Sequence, residues 1–283
     1  MTSPQSDARW FDENYFQRGC GRPYERSLEW LQSFARMAER IVRDIEPHTV
    51  LDAGCAMGFL VEALRERGVE AFGLDISEYA IKHVRDDLVP YCRLGSVSDP
   101  LPQRYDLVVC IEVLEHLPKL EAERAIENFC AASDDILFSS TPLDYREATH
   151  FNVQPPEYWA EQFAVQGFVR DVDFDASFVT PWAARFRRNH EPLHSVLRDY
   201  ERRFWLLWKE NVELRSLTLE MRESLSAGEQ AQQQLLDITS SPSWSLLQSV
   251  RRLRLALAPR GSARERMLDG WVRALFKKNA GPG

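Results

Sequence analysis

Residues 50–60 read VLDAGCAMGFL. A short apolar run passes through an acidic residue into a glycine-bearing loop, and the loop opens at once into a new apolar helical pattern. That order commits the chain to a strand–loop–helix unit in which the backbone turns tightly and lies open to a ligand. Further on, GLDIS (73–77) ends a second apolar run on Asp75. An acidic residue about twenty positions after a glycine loop is where nucleotide-binding sheets hold ribose hydroxyls. Such a charge-assisted contact contributes roughly 1.5–3 kcal/mol. The loop spacing G-C-A-M-G differs from the dinucleotide pattern G-x-G-x-x-G, and Asp52 in front of the first glycine would repel a pyrophosphate.

The pattern then repeats. Thr49–Ala53, Glu70–Leu74, Tyr91–Leu94, Tyr105–Ile111 and Asp135–Ser139 read as strands. Helices are predicted over 24–46, 59–67, 77–88 (with Ser77 as N-cap), 120–132 and 157–166, and a strand over 168–174 closes the series. Alternation of this kind predicts an α/β fold, a doubly wound and mostly parallel Rossmann-like sheet covered on both faces. The expected organisation is an N-terminal helical lid (1–46), the sheet domain (47–190), a long helix or coiled coil (191–240) and a basic amphipathic tail (241–283). Along 193–225, Leu193, Leu197, Tyr200, Phe204, Leu207, Leu214, Met221 and Leu225 follow a 4-3 rhythm, with Asn211 and Thr218 on the same seam. That seam fits a homodimer or a helix docked on its own domain. Gly228 and the Gln-rich run after it are expected to weaken a long rod, and residues from Gly261 onward to be poorly ordered.

IEVLEHLP (111–118) follows the fourth strand. On a helical turn, Glu112, Glu115 and His116 would share one face. Two carboxylates and an imidazole suit a hard divalent cation such as Mg²⁺ or Mn²⁺ better than zinc. His150, in the loop after the next strand, is expected at the same carboxyl edge of the sheet.

Taken together, VLDAGCAMGFL, GLDIS, YDLVVCIEVLEHL and ILFSSTP resemble the class I S-adenosylmethionine-dependent methyltransferases, over about residues 47–175. The resemblance implies that Asp52, Gly54, Cys55 and Gly58 form the loop under the methionine part of S-adenosylmethionine. It places Asp75 on the ribose, Ile76, Ser96 and Val97 near the adenine, and Ile111 and Glu112 beside the methionine. GCGRPYERSLEW (19–30) is similar to the lid of such enzymes, so Tyr24 and Arg26 are expected over the cofactor. The E-x-x-E-H turn with a later His also resembles metal-assisted O-methyltransferases of ubiquinone synthesis and of small-RNA 3′ ends. Carried over, Glu112, Glu115, His116 and His150 become a metal set, with Glu112, His116 and His150 the catalytic candidates. The same turn occurs in relatives without a metal, where the His acts as a base or merely packs. Trp159, Phe178 and Trp182 are candidates for an aromatic acceptor wall.

Charge narrows the partners. The first 240 residues carry 26 basic against 41 acidic side chains, a net −15, and from Ser241 onward the balance is +7. An acidic body is a poor match for a nucleic-acid backbone. In 241–260 apolar residues interleave with Arg251, Arg252 and Arg254, as in helices that lie on anionic membranes, and S-x-S-W-x-L resembles tail segments of surface-polysaccharide enzymes. Five cysteines without a C-x-x-C pair suggest reduced thiols, and no secretory signal or spanning segment is apparent, so a cytoplasmic location is expected, peripheral to the inner membrane if the tail docks. The combined expectation is O-methylation of a lipid-linked or nucleotide-linked sugar. Alternatives are a phenolic or isoprenoid acceptor, or a cofactor-binding scaffold that recruits glycosyltransferases.

Overall fold

The computed structural model describes residues 8–19 and 21–279, and Cys20 falls outside the described residues. Seven strands form one sheet: β1 (Thr49–Ala53), β2 (Glu70–Asp75), β3 (Cys92–Leu94), β4 (Leu107–Ile111), β5 (Asp135–Ser139), β6 (Phe168–Arg170) and β7 (Ala184–Arg188). Their spatial order is β3-β2-β1-β4-β5-β7-β6, parallel through β5 and antiparallel at β7 and β6. The chain starts at the middle of the sheet, winds outward through β2 and β3, then returns to β4 beside β1. That reversal opens a crevice at the carboxyl ends of β1 and β4, the usual ligand position in such sheets.

Helices cover both faces: α1 (Glu13–Arg18), α2 (Leu28–Asp44), α3 (Phe59–Arg65), α4 (Glu78–Lys82), α5 (Lys119–Ala132) and α6 (Pro156–Val165). On one face α5 and α6 bury Ile126, Phe129 and Phe163 against Ile136, Phe138 and Phe168. On the other, Ile41 of α2 and Leu60 and Leu64 of α3 close over Val50, Leu107 and Val109. Strands apolar on both faces are what a doubly covered parallel sheet requires. A third cluster ties Phe11 and Phe16 at the N-terminal segment to Met57, Phe59 and Ala80.

Several expectations change. The helix over 77–88 stops at Lys82, although Ser77 does cap it by accepting from the Ala80 N–H at 3.0 Å. Arg85 instead takes an extended conformation, and its guanidinium reaches both Glu62 and Asp87. A 3₁₀ segment then runs to Tyr91. The strand expected to 174 ends at Arg170, and a second antiparallel strand, β7, wedges between it and β5. Arg185 pairs with Asp135 of β5, and Phe186 stacks on Phe163 at 4.2 Å between ring centroids. Trp159 is buried against Phe138, and Phe178 packs under the Arg40 guanidinium, so neither borders an acceptor.

The chain forms two compact units, one ending at Phe204 and one from Trp205. α7 (Leu193–Ser240) is a single 48-residue helix that buries no side chain and runs through Gly228 without a break. One interior glycine costs only about 1 kcal/mol, too little to stop so long a helix. α8 (Pro242–Leu257) begins at a Ser241 cap, and α9 (Ala263–Asn279) occupies the stretch expected to lack order. Arg254 of α8 pairs with Asp269 of α9 at 2.5 Å. Among the described residues no helix is long and apolar enough to cross a membrane.

Replacing Phe186 by Ala removes a side chain that is 3% exposed and stacked between strand and helix. Urea titration should show a loss of about 3–5 kcal/mol. A loss below about 1 kcal/mol would mean that β7 is not part of the stabilising core.

Candidate active site

A cavity of about 880 Å³ opens at the carboxyl edge of β1, β2, β4 and β5, and the N-terminal aromatic segment closes over it. One end is built by the loops after β1, β2 and β3. Gly54 has φ +90°, and a Cβ there would come within 2.2 Å of Val113 Cγ2, so only glycine lets the loop after β1 pass the loop after β4. Asp75 accepts from the Ala56 N–H at 2.7 Å and the Ser77 N–H at 2.8 Å. Each of its oxygens retains a further lone pair for a ligand hydroxyl. Asp52 lines the same end, 5% exposed. Burial first, and the Asp75 carboxyl second, push Asp52 up to about 8. Asp75 is raised by burial, which its backbone N–H bonds oppose. Ile76, Gly95, Ser96 and Val97 complete a half-apolar wall beside these carboxyls. Two acidic groups beside an apolar slot fit a ribose, a flat base and an attached positive charge.

The other end is set by the turn after β4. Glu112 has φ +52°, and Leu114–His116 is a single 3₁₀ turn, so Glu112, Glu115 and His116 do not share a helical face. The left-handed kink turns Glu112 back toward β5, where its carboxylate accepts from Ser139 Oγ and from Trp182 Nε1, the latter at 2.9 Å. Glu115 is fully buried. Its Oε1 accepts from the Thr141 N–H at 3.2 Å, while Oε2 has no hydrogen-bond partner. Burial, then the neighbouring Glu112, hold Glu115 well above the usual carboxylate range.

The two histidines are oriented alike. His116 Nδ1 lies 3.2 Å from the Thr149 carbonyl and 3.0 Å from its hydroxyl, and His150 Nδ1 lies 2.8 Å from the Asp144 carbonyl. A carbonyl only accepts, so both Nδ1 atoms carry the hydrogen, and His116 Nε2 is left with a lone pair. Tyr15 Oη sits 3.3 Å from His116 Nε2, and Glu147 Oε2 sits 3.2 Å from His150 Nε2. Burial, then His150, lower His116 to about 3. Ligand atoms of Glu115, His116 and His150 lie within 4.8 Å of one another, and so do those of Asp144, Glu147 and His150. An orphaned carboxylate oxygen, the His116 Nε2 lone pair and a His150 ring beside the Glu147 carboxylate, both rings oriented by carbonyl-bound Nδ1–H groups, form a donor set that fits a divalent cation. Glu112 is absent from both groups.

Of the residues anticipated for the cofactor, Asp52, Gly54, Cys55, Asp75, Ile76, Ser96, Val97, Ile111 and Tyr24 line the cavity. Gly58 does not; it starts α3 with φ +74°, and a Cβ there would press on Cys92 Sγ at 3.1 Å. Arg26 does not either. Its guanidinium is held by both oxygens of Glu62 at 2.6 Å. Residues the sequence reading passed over include Phe11, Tyr15, Phe16, Asp144 and Glu147. The run D-x-x-E-x-x-H at 144–150 was visible as a signal. The N-terminal aromatics join through an Asp12 cap on α1 and a 2.6 Å bond from Ser77 Oγ to the Phe11 carbonyl, which nothing local announces.

Asp52 supplies a pH test. Its carboxyl is protonated in the fold up to about pH 8, whereas it ionises near pH 4 in the unfolded chain. The folded state therefore binds the extra proton, and stability falls as pH rises between those limits. In Asp52→Asn the advantage in Tm over the parent should widen steadily from pH 5 to pH 8, read by thermal scans. A constant difference across that range would show that Asp52 is ionised throughout.

Residues 23–171 match the family described as a methyltransferase domain. The chain is 35% identical over 102 residues to a ubiquinone biosynthesis O-methyltransferase of Idiomarina loihiensis, a match covering 31% of this chain and 41% of that one. It is 34% identical over 119 residues to the protein of that name from Thiobacillus denitrificans, covering 39% and 47%. The chain thus spans about half the length of the curated relatives it matches. In fold it is similar to the magnesium protoporphyrin IX methyltransferase of Synechocystis PCC 6803 with bound SAH, at 17% identity and a TM-score of 0.50, over 65% of this chain and 100% of that one. Matched over more than half its length and built on the strand order described above, the chain belongs to the methyltransferase-domain family, with the class I methyltransferase fold.

Proposed function

We propose that the chain is an S-adenosylmethionine-dependent O-methyltransferase, acting on one hydroxyl of a vicinal pair in a sugar destined for a surface glycan. The observation that carries the O-methyl reading is the cluster of Glu115, His116 and His150, whose two histidines line the same cavity as Asp75. Asp75 binds the ribose hydroxyls, Asp52 faces the positively charged part of the cofactor, and Ile76 and Val97 flank the base. The acceptor oxygen then attacks the sulfonium methyl in line, its C–O bond forming as the C–S bond breaks, the thioether leaving neutral and the hydroxyl proton passing to water.

His116 is a poor general base. An imidazole whose conjugate acid titrates at about 3 does not retain a proton at neutral pH. The same shift suits a ligand, because a neutral imidazole offers its Nε2 lone pair throughout the physiological range. Glu115, His116 and His150, with Glu147 beside them, would hold a divalent cation. When bound, it would lower the pKa of a coordinated hydroxyl. Glu112, pinned by Trp182 and Ser139, shapes the wall next to Ile111 and lies outside this ligand set. Arg18, Asp144 and Arg146 at the same cavity fit a polar acceptor.

The S-x-S-W segment and α8 support a glycan at a lipid surface. Leu246, Val250, Leu253 and Leu257 recur at helical spacing, each 59–68% exposed, with Arg251, Arg252 and Arg254 beside them. Each basic residue near an anionic membrane contributes about 1 kcal/mol. A second reading is a dihydroxy-phenol acceptor. Phe11, Tyr15 and Phe16 at the cavity support it, as do the names of the two ubiquinone-pathway relatives.

Asp75→Ala should abolish S-adenosylmethionine binding in calorimetry, and unchanged binding would sink the cofactor assignment. Labelled methyl transfer should proceed onto lipid-linked or nucleotide-linked sugars, cease in EDTA and return with Mg²⁺ or Mn²⁺. Glu115→Ala and His150→Ala should be inactive while still binding the cofactor. Full turnover in chelator would exclude the cation, and transfer to phenols alone would select the second acceptor.

A further inference from the structure

The strongest unassigned surface is α7. Over 48 residues it buries nothing, although it carries many large apolar side chains. A helix on its own in water gains from a polar surface all round, not from a regular apolar stripe. Here Phe204, Leu207, Leu214, Met221 and Leu225 lie on one stripe, each between 50% and 67% exposed. The repeat is seven residues, which drifts on a straight helix and stays in line only when two helices supercoil left-handedly. Assigning heptads from it puts Leu197, Phe204, Asn211, Thr218 and Leu225 at a, and Leu, Tyr, Met or Gly at every d position from 193 to 235.

We propose that α7 pairs with α7 of a second copy of this chain as a parallel, in-register two-stranded coiled coil in which Asn211 faces its counterpart across the seam. Three features choose this occupant. First, in a parallel pair a packs against a, so Asn211 meets an amide and Thr218 a hydroxyl only if the partner carries the same sequence at the same level. In an antiparallel pair a packs against d, which around the middle of the helix holds Leu207, Leu214 and Met221, and opposite any of these the amide would be buried without a partner at a cost of about 1–3 kcal/mol. Second, the flanking charges complement themselves. Glu210 at g reaches position 215 of the partner, the following e, and finds Arg215; the pair occurs twice by symmetry. Neither residue is held by a pairing at that seam, since Glu210 has no ion pair among the described residues and Arg215 none either. Third, Trp208 at e and Leu217 at g, 52% and 52% exposed, broaden the apolar seam around Asn211, where the pairing must be strongest. This pairing does not depend on the reaction proposed above.

The full-length chain in solution decides it. Light scattering at micromolar concentration should give the mass of two chains; the mass of one or of three overturns the proposal. In a Cys20→Ser background, the remaining native cysteines are buried. Added Leu214→Cys should then form an interchain disulfide under mild oxidation, because parallel d positions face each other. A dimer that does not cross-link at 214 overturns the parallel register. Leu207→Glu with Leu214→Glu should yield a single-chain mass with the melting transition of the α/β unit retained, and a persistent dimer in that variant would place the interface elsewhere.

Discussion

Two carboxyl groups drawn into one apolar corner set the terms for the rest of the α/β unit. Asp52 and Asp75 lie at the carboxyl ends of adjacent parallel strands, Asp52 paired with Gly73, two residues before Asp75. Asp75 is tolerated because two backbone N–H groups meet it. Asp52 has burial and a like neighbour working against its charge. A ligand with hydroxyls and a positive charge is what would repay that arrangement, so the corner is stored binding energy rather than a stabilising contact. The glycines around it follow from the same crowding: Gly54 yields to Val113, and Gly73 to the thiols of Cys55 and Cys92.

The turn after β4 solves a different problem with the same materials. Glu112 leaves the strand in a left-handed conformation that non-glycine residues rarely adopt. That kink turns Glu112 toward Trp182 and Ser139, yet its carboxyl stays close enough to Glu115 to raise it. The 3₁₀ turn leaves one buried oxygen of Glu115 without a hydrogen-bond partner, and the Glu115 carboxylate close to two imidazoles whose Nδ1–H groups are already engaged. Pre-set tautomers matter here, because a ring that must first rotate or exchange a proton cannot hold a ligand firmly.

The sheet was legible in the sequence because its strands are buried on both faces and read as continuous apolar runs, from VLDA at β1 to DILFS at β5. The antiparallel strand β7 was not. ARFRR alternates small or apolar with basic residues, and its placement rests on Arg185 finding Asp135 fifty residues earlier. Asp52, Gly54 and Asp75 could be found because a tight turn and a ribose each demand a particular residue type. Arg26 misled because an arginine beside a cofactor lid and an arginine paired with Glu62 look the same in one dimension. The wall formed by Phe11 and Tyr15 depends on the chain folding back across the sheet edge, a long-range contact that periodicity does not encode.

α7 inverts that lesson. Its helical character and its seam are both plain in the sequence, and the structure of one chain adds only that the seam is left uncovered. A helix of 48 residues is about 72 Å long, and in isolation its stability would rest on propensity alone. Gly228 and Thr218 lower that propensity while the Gln-rich run supports it, and the helix continues past all of them to Ser240. The pairing proposed above would add to its stability along the whole stripe, because every heptad buried contributes while one glycine subtracts once. The polar positions fit the same account: a seam of leucines alone would pair in any register, and an asparagine at 211 penalises all but one.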